Sequence, residues 1–318
     1  MGGDTGSPLF LLSMLGVTFG GIFVISALIG VLNNGLEGQL SELRKGRSRI
    51  IESNHTVILG WSPQVFAVIS ELVVANANQK KPCIAIMGEK DKVEMEDEIR
   101  DRLGNTGRTR IVCRSGSSMD INDLELVSLD TARSIIVLAP EGEDPDSAVI
   151  KTILAITNNP NRHADKYHIV AEIHDRRNME VAKMVGRDEV ELVQVGDLIS
   201  RITVQTCRQS GLSVVYTELL DFGGDEIYFK EEPALVGKKF GDSLLAYEDS
   251  TVIGLRPASG GALVNPPMDR RIEAGDRLIV ISEDDDTIRL SGLSDFGIDQ
   301  SAIHAAKPAK PKPERTLI

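Results

Sequence analysis

His55–Ala75 reads HTVILGWSPQVFAVISELVVA. The apolar run Thr56–Leu59 ends at Gly60, and after a short polar break a second apolar run begins with helical spacing. A first strand, a turn and a first helix follow one another in this order in a dinucleotide-binding unit. The turn itself, GWSPQV at residues 60–65, departs from the G-x-G-x-x-G fingerprint. Gly60 still permits the tight turn, but Ser62 stands at the second glycine position and hinders close backbone approach to a pyrophosphate. Val65 stands at the third and separates helix from strand slightly more. Ser62 is suited to cap the helix and Pro63 to its first turn, so the helix starts soundly without the glycines. Glu89 follows the next apolar run, where an acid binds a ribose in such folds. Gly60, Ser62 and Glu89 are therefore the candidate edge of a nucleotide site. Adenosine-type binding is conceivable there and a typical NAD pose is disfavoured. The alternative is the same fold put to another use.

Beyond this unit, strand-like and helix-like segments keep alternating. CIAIMGE, RIVCRSG, ARSIIVLAP, YHIVAEIHD and ELVQV read as strands, with helical segments between them and DLISRITVQTCRQ as a closing helix. The alternation predicts an α/β fold, a doubly wound parallel sheet with right-handed crossovers, over residues 54–220. From about Asp221 short strands and Gly-rich turns take over, with a single short helix, which predicts a small α+β lobe over 221–290. Residues 291–318 have the Pro- and Lys-containing composition of a flexible linker. The closing ERTLI resembles NHTVI at the start of the first unit, as if a second unit were beginning, and makes the chain read as a piece of a longer protein.

Upstream, Leu9–Leu32 holds 24 residues without a charge. As a helix it would be about 36 Å long, enough to cross a bilayer core with some tilt. A signal peptide fits poorly, because MGGDTGSP carries an Asp and no basic residue and the apolar run is too long. Arg44, Lys45, Arg47 and Arg49 lie just beyond the span, and the positive-inside bias places the C-terminal side in the cytoplasm. Residues 33–53 read as a connector from membrane to soluble part, with Leu36, Leu40 and Leu43 at helical intervals. Within the span, Gly16, Gly20 and Gly21 suit either close helix packing or a gating hinge.

A net charge of −12 and a pI near 5.0 argue against general affinity for nucleic acid or anionic lipid. Cys83, Cys113 and Cys207 form no C-x-x-C pair, so no zinc site or disulfide framework is indicated, and a reducing compartment is the simplest fit. The stretch EGEDPD places Glu141, Glu143, Asp144 and Asp146 at the C-terminal end of the fourth strand, the edge where ligands gather in open α/β sheets. Hard oxygen donors there are suited to Ca²⁺, although the EF-hand spacing is missing and a solvated acidic loop is the plainer reading. His55 and His168 flank strands. His174 and Asp175 end the fifth strand at the same functional edge. No nucleophile elbow, P-loop or H-E-x-x-H motif occurs, so catalysis has no visible carrier.

ELRKGRSRIIESNHTVILGW, Glu42–Trp61, resembles the junction between the last transmembrane helix and the first regulatory domain of the CASTOR/POLLUX family of cation channels. VCRSGSSMDINDLELVSLDTARSIIVLAP, Val112–Pro140, resembles the same family. PALVGKK, NPP and EAGDRLIVI, between Pro233 and Ile281, are similar to the C-terminal lobe of RCK (regulator of potassium conductance) or TrkA domains. The resemblance implies a gating domain beneath a tetrameric cation pore. RCK-type domains form a ring there, and ligand-driven movement, calcium among the ligands, pulls on the pore-lining helix through the connector. It also implies further membrane helices before this segment and a second RCK domain after it. A membrane-tethered NAD-dependent oxidoreductase and a TrkA-like regulatory subunit of a transporter are the competing readings.

Overall fold

The computed structural model describes residues 6–44, 46–293 and 301, residues 32–44 by backbone alone. The ERTLI segment and the linker from residue 302 lie outside the described residues, as do the first five residues. The chain divides into two compact units between Ser213 and Val214.

Helix α1 spans Pro8–Arg44, 37 residues and about 55 Å. Its segment Pro8–Val31 is long and apolar enough to cross a membrane. The hydroxyls of Ser13 and Thr18 donate back to the carbonyls of Phe10 and Met14 at 2.8 Å, so neither demands a partner outside the helix. The expected connector is thus helical for most of its length. Only residues 46–54 run in extended and turn conformation before the first strand.

Six parallel strands follow: β1 (His55–Leu59), β2 (Cys83–Gly88), β3 (Arg110–Ser115), β4 (Ala132–Val137), β5 (Ile169–Ile173) and β6 (Val190–Gln194). Their order in the sheet is 3-2-1-4-5-6. All residues of β1 and β2 are buried, because helices cover both faces of such a sheet. Ile58, Ile84 and Ile86 pack with Val65, Phe66 and Ile69 of α2 (Gln64–Ala75) and with Met95 and Ile99 of α3 (Lys92–Leu103). Their neighbours Val57, Leu59, Ala85 and Met87 point to the opposite face. There they join Leu124 of α4 (Ile121–Leu124), Val149 and Ile153 of α5 (Pro145–Thr157) and Ala182 of α6 (Met179–Gly186). The chain changes face between β3 and β4, so the strand order reverses between β1 and β4 and opens a crevice there. Helix α7 (Val195–Arg208) closes the unit, and α8 (Leu212–Leu220) bridges the division.

The second unit is a four-stranded antiparallel sheet in the order β7-β10-β8-β9, from Glu226–Lys230, Arg277–Ser282, Thr251–Arg256 and Leu263–Val264. Phe240 of the short helix α9 (Phe240–Ser243) packs with Val252, Leu255, Leu278 and Val280 to form its core. This is the α+β lobe that the Gly-rich turns predict.

Candidate functional site

At the C-terminal ends of β1, β2 and β3 the structure forms a cleft of about 310 Å³, lined by Gly60, Trp61, Glu89, Lys90, Ser118 and Thr152 among others. Two glycines make it possible. Gly60 has φ +107°, and a β-carbon on it would stand 2.7 Å from the carbonyl oxygen of Leu138. A β-carbon on Gly88 would stand 2.9 Å from that of Trp61, so Gly88 is where the indole gains its room. The Trp61 ring meets Phe66 edge-on at 5.6 Å, and Lys90 Nζ lies 5.5 Å from its centroid. Lys90 also donates to Glu98 Oε1 at 2.5 Å, so its charge is partly engaged.

Of the three nucleotide-edge residues, Gly60 and Glu89 line this cleft and Glu89 is exposed. Ser62 does not behave as the sequence suggests. It is buried, its hydroxyl has no hydrogen-bond partner, and the start of α2 has no side-chain cap. The first turn is poor in free donors as well: Pro63 lacks an N–H, and the Val65 N–H donates to the Ser62 carbonyl at 3.0 Å. What remains is a recess with an aromatic wall, an acid and a lysine, beside a helix start that is poor in free donors.

The acidic stretch is not assembled as a ligand set. Asp146 is buried, and its carboxylate accepts from the His174 N–H at 2.8 Å, the Asp175 N–H at 2.9 Å and Asn178 Nδ2 at 2.8 Å. Burial alone would raise this carboxyl. The hydrogen bonds from Asn178, His174 and Asp175 outweigh it and hold the carboxyl below the usual range. Asp144 accepts from the Ser147 N–H and caps α5, while Glu141 and Glu143 are exposed. Two of the four expected Ca²⁺ ligands are thus spent on backbone. Among the described residues no group of three His, Cys, Asp or Glu side chains is placed to share a metal ion. His174 Nε2 lies 2.8 Å from Glu172 Oε1, and neither His174 nor Asp175 lines the cleft. His55, buried, meets the Val127 carbonyl through Nε2 at 2.9 Å. Adding a β-carbon to Gly16, Gly20 or Gly21 meets nothing within 4 Å, so the small-residue face of α1 is open.

The extended segment behind α1 is stitched to β3 and to the β3–β4 connection, an arrangement that local sequence pattern does not reveal. Arg47 Nη2 donates to Asp123 Oδ1 at 2.6 Å, and Arg114 Nε to the Ser48 carbonyl at 2.5 Å. Arg49 Nε donates to Ser128 Oγ at 3.1 Å, and that hydroxyl donates to the Ile50 carbonyl at 2.5 Å. The N–H groups of Ile50 and Asn54 donate to Leu126 and Thr131 carbonyls at 2.8 Å, and Arg110 pairs with Glu52. Arg47 and Arg49, two of the basic residues beyond the span, thus serve as clips.

Residues 196–295 match a family model described as "Castor and Pollux, part of voltage-gated ion channel". The probable ion channel CASTOR of Oryza sativa subsp. japonica is 37% identical over 275 residues, 85% of this chain and 31% of that protein. The ion channel CASTOR of Lotus japonicus is 36% identical over the same share of this chain, and 32% of its own length is covered. The probable ion channel POLLUX of Arabidopsis thaliana is 33% identical over 274 residues, again 85% of this chain and 33% of that protein. The chain spans about a third of the length of these relatives. Among solved structures, the human SLO3 gating ring superposes with a TM-score of 0.52 at 18% identity, covering 72% of this chain and 44% of that one, a likeness of fold.

Proposed function

This chain belongs to the CASTOR/POLLUX family, and on that premise we propose that it is a membrane helix and ligand-sensing regulatory module of an ion-channel subunit. The observation that carries the proposal is mechanical continuity. A span-length helix runs unbroken to Arg44, and after ten intervening residues the chain is an inner strand of a Rossmann-like sheet, held on the way by at least five hydrogen-bonded clips. Any displacement of the sheet is passed to the helix. The module works by population shift: a ligand that binds one arrangement better biases the helix by its differential affinity.

The cleft at β1–β3 is the ligand site in this reading. Its volume lies at the lower end of the range for small-molecule sites, and Glu89, Trp61 and Lys90 supply ribose, base and phosphate contacts for a mononucleotide. The regulatory unit assembles as a ring of copies beneath the pore, a homotetramer, with the sheet on the cytoplasmic side. The exposed Leu198, Ile199 and Val204 of α7 give neighbouring copies an apolar surface to cover.

The test is twofold. The chain in lipid nanodiscs is weighed by native mass spectrometry, and currents of the channel that contains it are recorded with ADP or Ca²⁺ on the cytoplasmic side. A four-copy mass and a ligand-dependent open probability are expected. A monomer at every concentration, or NADH oxidation by the isolated chain, would overturn the reading.

A further inference from the structure

Asp123 sits on α4, 8% exposed, with its two carboxylate oxygens assigned to different parts of the molecule. Oδ1 takes the guanidinium of Arg47, in the segment behind the membrane helix, at 2.6 Å. Oδ2 takes the backbone N–H of Ser117 at 2.9 Å. Ser117 belongs to the loop after β3, whose Gly116, Ser118 and Met119 line the cleft. That loop closes against the rest of the site through the Gly116 N–H on the Gly88 carbonyl at 3.1 Å and through Ser118 Oγ against Thr152 Oγ1 at 2.8 Å. Arg114, a few residues earlier on β3, holds the Ser48 carbonyl from the strand itself. The segment behind the helix is therefore held at one point by the fixed sheet and at the next by a carboxylate that also holds the cleft wall.

We propose that Asp123 couples the cleft to the membrane helix. Its carboxylate transmits movement of the Gly116–Met119 wall to Arg47, while Arg114 on Ser48 acts as the fulcrum. Two hydrogen bonds to one carboxylate are interdependent, since losing one donor frees the carboxylate to reorient away from the other. The coupling is reciprocal by linkage: an event at Arg47 is felt at Ser117, just as an event in the cleft is felt at Arg47. The proposal rests on the cleft being the ligand site, but the reciprocal direction can be tested without any ligand.

The test uses the full chain in nanodiscs and reads amide hydrogen exchange at Ser117 and at the connector amides Ile50 and Asn54. Arg47 is more than half exposed, so Arg47→Ala opens no cavity in the core, and an unchanged far-UV circular dichroism spectrum checks that the variant is folded. Without ligand it is expected to speed exchange at Ser117 about tenfold. Arg177→Ala, which removes an exposed pair with Asp175 elsewhere, leaves Ser117 unchanged. Exchange at Ser117 within about twofold of wild type in Arg47→Ala overturns the coupling. A second arm adds ADP. In wild type it is expected to protect Ser117–Met119 and to change exchange at Ile50 and Asn54. In Arg47→Ala it protects the same wall, while the connector response falls by at least half. A full connector response without Arg47 also overturns the coupling. If millimolar ADP leaves the wild-type cleft wall unprotected, the ligand reading fails instead, and the ligand-free arm still decides the coupling.

Discussion

The carbonyl oxygen of Leu138 lies 2.7 Å from the point where Gly60 would carry a β-carbon. That approach joins the ends of β1 and β4 at the place where the strand order reverses, and the Leu138 N–H completes it by donating to Leu59 at 2.9 Å. Gly60→Ala would have to relieve both the clash and a φ of +107° that side chains rarely adopt. It is expected to cost about 3 kcal/mol, lowering the melting temperature of the Rossmann-like unit by roughly 6–12 °C. Calorimetry measures this directly, and a shift below about 2 °C would show that the turn relaxes freely.

Asp146 gives a pH-dependent counterpart. Its folded-state carboxyl lies below the ordinary value, so its stabilising contribution is present above the unfolded-state pKa, about 3.9, and is lost as pH falls through the lower folded value. Asp146→Asn keeps one acceptor oxygen but sets an amide N–H₂ against at least one of the three donors, and is expected to cost about 2–4 kcal/mol at neutral pH. Urea unfolding from pH 7 to pH 3 should show the gap between wild type and variant constant above about pH 5 and narrowing in acid. A gap that widens in acid would assign the wrong sign to this group.

These two positions show where the sequence is readable and where it is not. All six parallel strands are visible in the sequence, most plainly β1 and β2, whose complete burial leaves no polar alternation to blur them, whereas the outermost strand β6 alternates half-buried and exposed residues. The displaced glycines of GWSPQV are visible as well, and so is the poor phosphate cradle that follows from them. The continuation of α1 through residues 33–44 is signalled only by three leucines at helical intervals. What EGEDPD hides is direction: whether Asp146 faces solvent or backbone depends on the turn after β5, 28 residues away. The Arg47–Asp123 clip joins residues 76 apart, and DINDLELV on its own gives an ordinary helix with no sign that its acid is buried. Ser62 is misread for a related reason. A serine before a proline predicts a cap, but the helix starts one residue later than that reading needs, with Pro63 at its cap position, and the Ser62 hydroxyl is buried without a partner.

Trp61 is the single tryptophan of the chain and it lines the cleft, so intrinsic fluorescence reports on that site alone. Titration with ADP is expected to change the emission saturably, and Trp61→Phe should abolish the signal. Glu89→Gln, which keeps one acceptor oxygen but removes the charge proposed to face the ribose, should weaken apparent affinity about tenfold, the loss of a charge-assisted hydrogen bond. An unchanged midpoint in Glu89→Gln would remove the ribose contact from the site.

The cysteines separate folding from assembly in one labelling experiment. Burial, reinforced by Glu52, pushes the Cys83 thiol up to about 11, and burial, reinforced by Glu96, pushes Cys113 up to about 12. Both lie in the sheet core and stay unreactive until the unit unfolds. Cys207 is exposed on α7, the helix that carries Leu198, Ile199 and Val204. At pH 8 a thiol reagent should therefore label one equivalent per dilute chain, with the other two appearing only in denaturant. If copies assemble through α7, the rate at Cys207 falls as protein concentration rises, while Cys83 and Cys113 remain protected throughout. A Cys207 rate independent of concentration, in samples whose mass shows four copies, would place the assembly surface elsewhere in the chain. Three equivalents reacting at once in dilute native protein would contradict the burial of the sheet itself.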